Sequence, residues 1–142
     1  MWHEKYMEIA KKISEWSKDP STKVGSVIVS KDGQILAQGY NGFPRKIKDL
    51  KTRLNNREVK LQYIVHAEMN AIYNSSLNGV SLKNSTLYVY GLHVCHECSK
   101  GIIQVGISTV VVQKNKSKVK WKESCDLAKK ILYEAGVNIV EI

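Results

Sequence analysis

Two short segments combine residue types that chemistry, rather than packing, asks for: His66-Ala67-Glu68 and Cys95-His96-Glu97-Cys98. Cysteines three positions apart at a helix start lie on one side of the first turn. Unpaired backbone N–H groups and the helix dipole favour thiolate there. A histidine from a neighbouring helix start would supply a third ligand. Three protein ligands with a fourth position left for water make up the catalytic form of a zinc site. Zinc lowers the pKa of bound water from about 16 to about 7. Glu68 stands two residues beyond His66, placed to move protons beside such a site without ligating the metal. General acid–base catalysis of that kind contributes about 10²–10⁴ in rate. Each part alone has a plainer reading. A Cys-x-x-Cys pair also serves as a redox dithiol or as half of a structural zinc site, for which His93 or His96 could be the fourth ligand, and a single histidine is more often core. The ordered combination of His-x-Glu, a strand, and Cys-x-x-Cys opening a helix is the specific signal.

The elements that must position these residues follow from periodicity. Tyr6, Ile9, Ala10, Ile13 and Trp16 recur at helical spacing over residues 3–17, and Asp19-Pro20 ends that helix. Residues 23–30 and 34–39 read as two strands of a hairpin turning at Lys31-Asp32-Gly33. Residues 40–62 are polar, basic and weakly periodic, which predicts mostly loop. A helix is predicted from His66 to Asn78-Gly79, a strand over Thr86–Tyr90, and a helix over Cys95–Val105. A strand over Ile107–Val112, a helix along Trp121, Cys125, Ala128, Leu132 and Ala135, and a last strand over Val137–Ile142 complete the chain. The order predicts an α/β fold, a single domain over residues 1–142, with one mixed five-stranded sheet and helices on both faces.

Composition bounds the rest. The 142 residues are 43% hydrophobic and 25% charged, which excludes disordered, collagen-like and coiled-coil chains. No apolar run reaches the roughly 18 residues of a membrane span. The charged N-terminal segment does not read as a secretory signal, and three cysteines favour metal binding over disulfides, so a cytoplasmic setting is expected. The net charge is +9. Arg45 to Lys60 carries seven basic residues against two acidic ones, and Gln113 to Lys122 carries five lysines and no acid. Either these are solvated loops, or the partner is an anion such as a nucleotide or a nucleic acid.

His-x-Glu followed by Cys-x-x-Cys is the signature of zinc-dependent nucleobase deaminases. Together with DPSTKVG (Asp19 to Gly25), GYNGFP (Gly39 to Pro44) and HAEMNAI (His66 to Ile72), it makes almost the whole chain resemble the deoxycytidylate branch of the zinc-dependent cytidine/deoxycytidylate deaminase superfamily. The resemblance implies a three-layer α/β/α cytidine-deaminase-like fold and one zinc ion per chain on His66, Cys95 and Cys98. It implies proton shuttling by Glu68 during hydrolysis of dCMP to dUMP and ammonia. Asn41 is implied to contact the deoxyribose and base, and the Ala67 backbone the pyrimidine carbonyl. By position, the loop with Ser21 and Lys23 is the candidate for the 5′-phosphate. Relatives are homo-oligomers, often hexamers, and many respond to dCTP and dTTP, which implies an oligomer with those nucleotides as effectors.

Three features depart from the family pattern. Val94 stands where a proline usually precedes the first cysteine, a position that ligates nothing. Residues 45–57 lack the cysteines and histidines that hold an additional zinc in some relatives. The five lysines after the fourth strand suggest that dCTP or dCDP is accepted beside dCMP. The alternatives are a polynucleotide deaminase acting on DNA or RNA, favoured by the basic stretches but not by GYNGFP or the short length, and a non-catalytic zinc-stabilised binding protein, disfavoured by Glu68. The other candidates read as structural: Cys125 as core, His3 and His93 as surface or loop, His96 and Glu97 as pointing away from the metal, and Tyr40, Trp2, Trp16 and Trp121 as packing or interface residues.

Overall fold

The fold is built around β1 (Gly25–Val29), a strand buried along its whole length because both its edges are paired and both its faces are covered. In the computed structural model, which describes residues 2–114 and 119–142, it pairs antiparallel with β2 (Ile35–Tyr40) and with β3 (Thr86–Tyr90). Beyond β3, β4 (Thr109–Val112) and β5 (Asn138–Glu141) add in parallel, giving the order β2-β1-β3-β4-β5. The predicted mixed five-stranded sheet is therefore present.

The alternation of side chains along each strand divides the core in two. On one face α1 (Trp2–Ser14) lays Met7, Ala10 and Ile13 on Val27, Val29, Tyr88 and Val111. On the other, α4 (Ala67–Leu77), α5 (His96–Gln104) and α6 (Lys122–Glu134) lay Ala71, Ile72, Ile102, Ala128 and Leu132 on Ile28, Leu87, Val89 and Val110. This is a three-layer α/β/α arrangement. Gly39 lets α4 sit close on β2: a Cβ there would lie 2.4 Å from Ala71 N and 2.5 Å from Ala67 O, both backbone atoms that cannot step aside.

The prediction of loop over 40–62 is corrected. That stretch contains α2 (Lys51–Leu54) and α3 (Arg57–Tyr63), the latter capped by the Asn56 side chain accepting from Val59 N. Helix α3 escapes hydrophobic periodicity because the residue it buries is Lys60, whose ammonium is neutralised by the equally buried Asp19 at 3.0 Å. Trp121 belongs to a short 3₁₀ turn (Val119–Trp121) that leads into α6. Within the lysine-rich stretch, residues 115–118 lie outside the described residues, and with them part of the argument for additional phosphates. No helix among the described residues is long and apolar enough to cross a membrane.

Candidate active site

The site forms where the starts of α4 and α5 meet. His66 is the residue before α4 and Cys95 the residue before α5, so both stand at helix N-termini, and Cys98 follows one turn into α5. The Cys95 sulfur accepts from Cys98 N at 3.5 Å, one of the orphan donors of that first turn. His66 Nδ1 lies 3.3 Å from Cys98 Sγ and 3.4 Å from Cys95 Sγ, and the three atoms all fall within 4.8 Å of one another. A tetrahedral zinc with bonds of about 2.3 Å to sulfur and 2.0–2.1 Å to nitrogen spans ligand edges of about 3.6–3.8 Å, so the three side chains fit the ion with little movement. They form the only such group of His, Cys, Asp and Glu among the described residues. As expected, His96 and Glu97 turn elsewhere: His96 Nδ1 meets Ser124 Oγ at 2.7 Å, and Glu97 pairs with Lys100 at 2.9 Å.

The electrostatics separate the two thiols. A hydrogen bond from Cys98, reinforced by His66, holds Cys95 down at about 4, so it is a thiolate at neutral pH. The same bond pushes Cys98, which is deeply buried, well above the usual thiol range. The hydrogen bond with Cys95 raises His66 to about 9 against the opposing effect of its own burial. Glu68, in the first turn of α4, is buried, and that desolvation raises its carboxyl above the ordinary range although His66 pulls the other way. A buried carboxyl that readily holds a proton, next to three metal-ligating atoms, is equipped to give and take protons there.

The site opens into a cavity of about 150 Å³. One wall is the segment after α1, with Asp19, Ser21, Thr22 and Val24. Buried Ala67 and Glu68 form its floor with His66 and Cys95 beside them, and the exposed Arg57 and Lys120 stand with half-buried Trp121 at the rim. The Arg57 guanidinium lies 5.9 Å from the Trp121 ring centroid, so α3 and the turn before α6 approach each other across the cavity.

The structure thus brings His66, Ala67, Glu68, Cys95, Asn41 and Ser21 together around one cavity, with Cys98 against His66 and Cys95 but outside the lining, whereas Lys23 is exposed and away from it. Asn41 lines the cavity with its amide committed to the protein. Its Oδ1 accepts from Val24 N at 2.9 Å, and its Nδ2 donates to Thr22 O at 2.8 Å and Asp19 Oδ2 at 3.4 Å. The cations that do reach the cavity, Arg57, Lys60 and Lys120, sit inside the two basic stretches, where charge density pointed to the region but not to the residue. His93, expected at the surface or in a loop, lies in the loop between β3 and α5 and is buried there. Its Nε2–H donates to Gln113 O at 2.5 Å, while the Gln113 side chain accepts from Gly91 N at 3.1 Å. Gln113 thereby fastens the loop that carries Cys95 to the end of β4. Cys125 is buried, as expected for a core residue, at the back of the same cavity.

Comparison with known proteins agrees with this geometry. Residues 1–114 match the family model described as the cytidine and deoxycytidylate deaminase zinc-binding region. A probable deoxycytidylate deaminase of Drosophila melanogaster is 43% identical over 125 residues, covering 81% of this chain and 60% of the fly protein. The human deoxycytidylate deaminase is 38% identical over 120 residues, covering 81% of this chain and 66% of the human one. The chain therefore spans less than two thirds of these relatives. It spans nearly all of the dCMP deaminase of cyanophage S-TIM5, whose crystal structure in complex with dCMP and dUMP superposes with a TM-score of 0.76 at 28% identity, covering 98% of this chain and 95% of that one. The chain belongs to the cytidine and deoxycytidylate deaminase family and carries its zinc-binding region.

Proposed function

We propose that this chain hydrolyses dCMP to dUMP and ammonia. The observation that carries the reading is the buried Glu68 carboxyl beside His66, Cys95 and Cys98, at the floor of a cavity rimmed by Arg57 and Lys120. Zinc on those three ligands supplies the Lewis acidity that makes water nucleophilic at neutral pH. Glu68 takes the proton of the attacking water and delivers it to N3 of the cytosine as the oxygen adds to C4. It then carries the second water proton to the 4-amino group, the C4–N bond breaks, ammonia leaves and the 4-keto pyrimidine remains. The backbone of Ala67, in the first turn of α4, meets the pyrimidine carbonyl. Arg57, Lys120 and the Ser21 hydroxyl meet the 5′-phosphate, the part expected of Lys23 passing to these cavity-lining groups.

We extend the reading to dCTP and dCDP, since Lys120, in the cavity lining, offers a further cation to additional phosphates. A homo-oligomer, a hexamer by analogy with relatives, with dCTP and dTTP as effectors in a cytoplasmic setting, is part of the same proposal. Exposed Tyr73 and Leu77 on α4 and Trp2 on α1 offer apolar surface for the oligomer. The test is ammonia release by zinc-loaded protein given dCMP, dCTP, CMP and deoxycytidine. Turnover of dCMP well above CMP and deoxycytidine is expected. Turnover of none of them, with tight salt-sensitive binding of single-stranded DNA or tRNA, would replace the reading with a polynucleotide substrate.

A further inference from the structure

Two neighbouring helices, α5 and α6, are tied together at their N-termini beside the site. Helix α5 opens on Cys95, and α6 opens where Trp121 ends the 3₁₀ turn. The first turn of a helix leaves backbone N–H groups without helical partners. In α5, side chains of different origin take two of them. Cys98 N donates to Cys95 Sγ within the same turn, and His96 N donates to Ser124 Oγ at 3.1 Å, on the neighbouring helix. Having accepted there, Ser124 directs its own O–H at His96 Nδ1, 2.7 Å away, which leaves Nε2–H of that ring facing Glu97 Oε1 at 3.3 Å. One half-buried hydroxyl, 28 residues away in sequence, thus holds both the backbone and the ring of His96. Through the Cys95–His96 peptide bond it also restrains Cys95. Trp121, the cap residue of α6, makes no side-chain capping bond, and the nearby Ser124 hydroxyl is spent on α5 instead.

The residues around Ser124 show what this link connects. Lys120 and Trp121 stand on the rim of the nucleotide cavity and Cys125 at its back, while Cys95 lies beside its floor and Ser124 itself stays outside the lining. We propose that Ser124 is a positioning residue: by capping α5 from α6, it fixes how far the phosphate-binding groups of the rim stand from the metal-ligating end of the cavity. The span of the cavity is thereby matched to the length of a nucleoside 5′-phosphate. This rests on the deaminase reading and deepens it, because a fixed span from pyrimidine ring to phosphate is what favours a nucleotide over a nucleoside.

The test uses Ser124→Ala, which removes the hydroxyl but keeps a strong helix former, and Ser124→Thr, which restores it. Both are zinc-loaded. Amide exchange is followed at His96, and turnover is measured on dCMP and, at higher enzyme concentration, on deoxycytidine, which has no phosphate. In Ser124→Ala the His96 amide should exchange at least about tenfold faster, since local opening sets its rate. Zinc content should be unchanged, and the KM for dCMP should rise about tenfold with kcat within about twofold, while kcat/KM for deoxycytidine changes by less than about twofold. Ser124→Thr should bring all of these back to within about twofold of wild type. A general loss of stability would affect both substrates alike. An equal penalty on dCMP and deoxycytidine would therefore overturn the proposal, as would an unchanged His96 exchange rate or a threonine variant that behaves like the alanine one. If the wild-type protein turns over neither substrate, the deaminase reading fails. The link is then decided by His96 exchange and by the affinity of the cavity for inorganic phosphate, expected to be about tenfold weaker in Ser124→Ala.

Discussion

The zinc ligands make a quantitative prediction about protons. Ordinary histidine and cysteine side chains titrate near 6.5 and 8.5, so at pH 5.5 three unperturbed ligands would carry close to three protons and zinc would displace about three. In this site Cys95 is held at about 4 and is already a thiolate at pH 5.5. His66, raised to about 9, is protonated, and so is Cys98, pushed upward by the hydrogen bond to Cys95 and by burial. Zinc should therefore displace about two protons per ion at pH 5.5, and its dissociation constant should fall about 100-fold, not 1,000-fold, between pH 5 and 6. The pH is chosen well below about 7, where a metal-bound water begins to add its own proton. Titration calorimetry of zinc into metal-free protein, repeated in buffers of different ionisation enthalpy, reads the number directly. Release of three protons would mean that Cys95 is not the preformed thiolate described here. Release of one or none would mean that the ion is not taking His66 and Cys98.

Other consequences follow from single contacts. Gly39→Ala places a methyl group against the backbone of α4 and should cost about 3 kcal/mol or more in urea unfolding, with weakened zinc retention because Ala67 must move. Gln113→Ala removes the acceptor for Gly91 N and should cost about 1 kcal/mol, lowering Tm by about 4 °C and speeding zinc loss to a chelator. Glu68 burial raises its folded-state pKa, so the folded protein binds this proton more tightly than the unfolded chain does. Metal-free stability is therefore full below the unfolded value of about 4.3 and falls as pH rises through the raised one. Glu68→Gln should raise the Tm of the metal-free protein at pH 7.5 and flatten that dependence.

How much of this was legible in the sequence depends on the range of the interactions. The zinc ligands and Glu68 were legible because their relations are local: Cys95 and Cys98 share one helical turn, His66 and Glu68 another, and the elements around them bury ordinary apolar stripes. Helix α3 was not, because its buried residue is a lysine whose partner Asp19 lies 41 positions away, so neither charge nor periodicity marks it as interior. The burial of His93 depends on Gln113, at the end of a strand 20 positions further on. The partners of Asn41 were hidden for the same reason: the motif marks an amide beside the cavity, but only the folded chain reveals its bonds to Val24, Thr22 and Asp19. Lys23 alternates outward from Val24, so proximity along the chain placed it near the cavity while the backbone turned it away.

The central claim is that Glu68 moves the protons of a hydrolysis carried out at the His66–Cys95–Cys98 site. The most direct test measures ammonia and dUMP formed from dCMP by wild-type protein and by Glu68→Gln, with zinc content determined on the same samples. The account predicts equal zinc in both and a rate about 10²–10⁴ lower in the variant. Undiminished ammonia release from the zinc-loaded variant would contradict it.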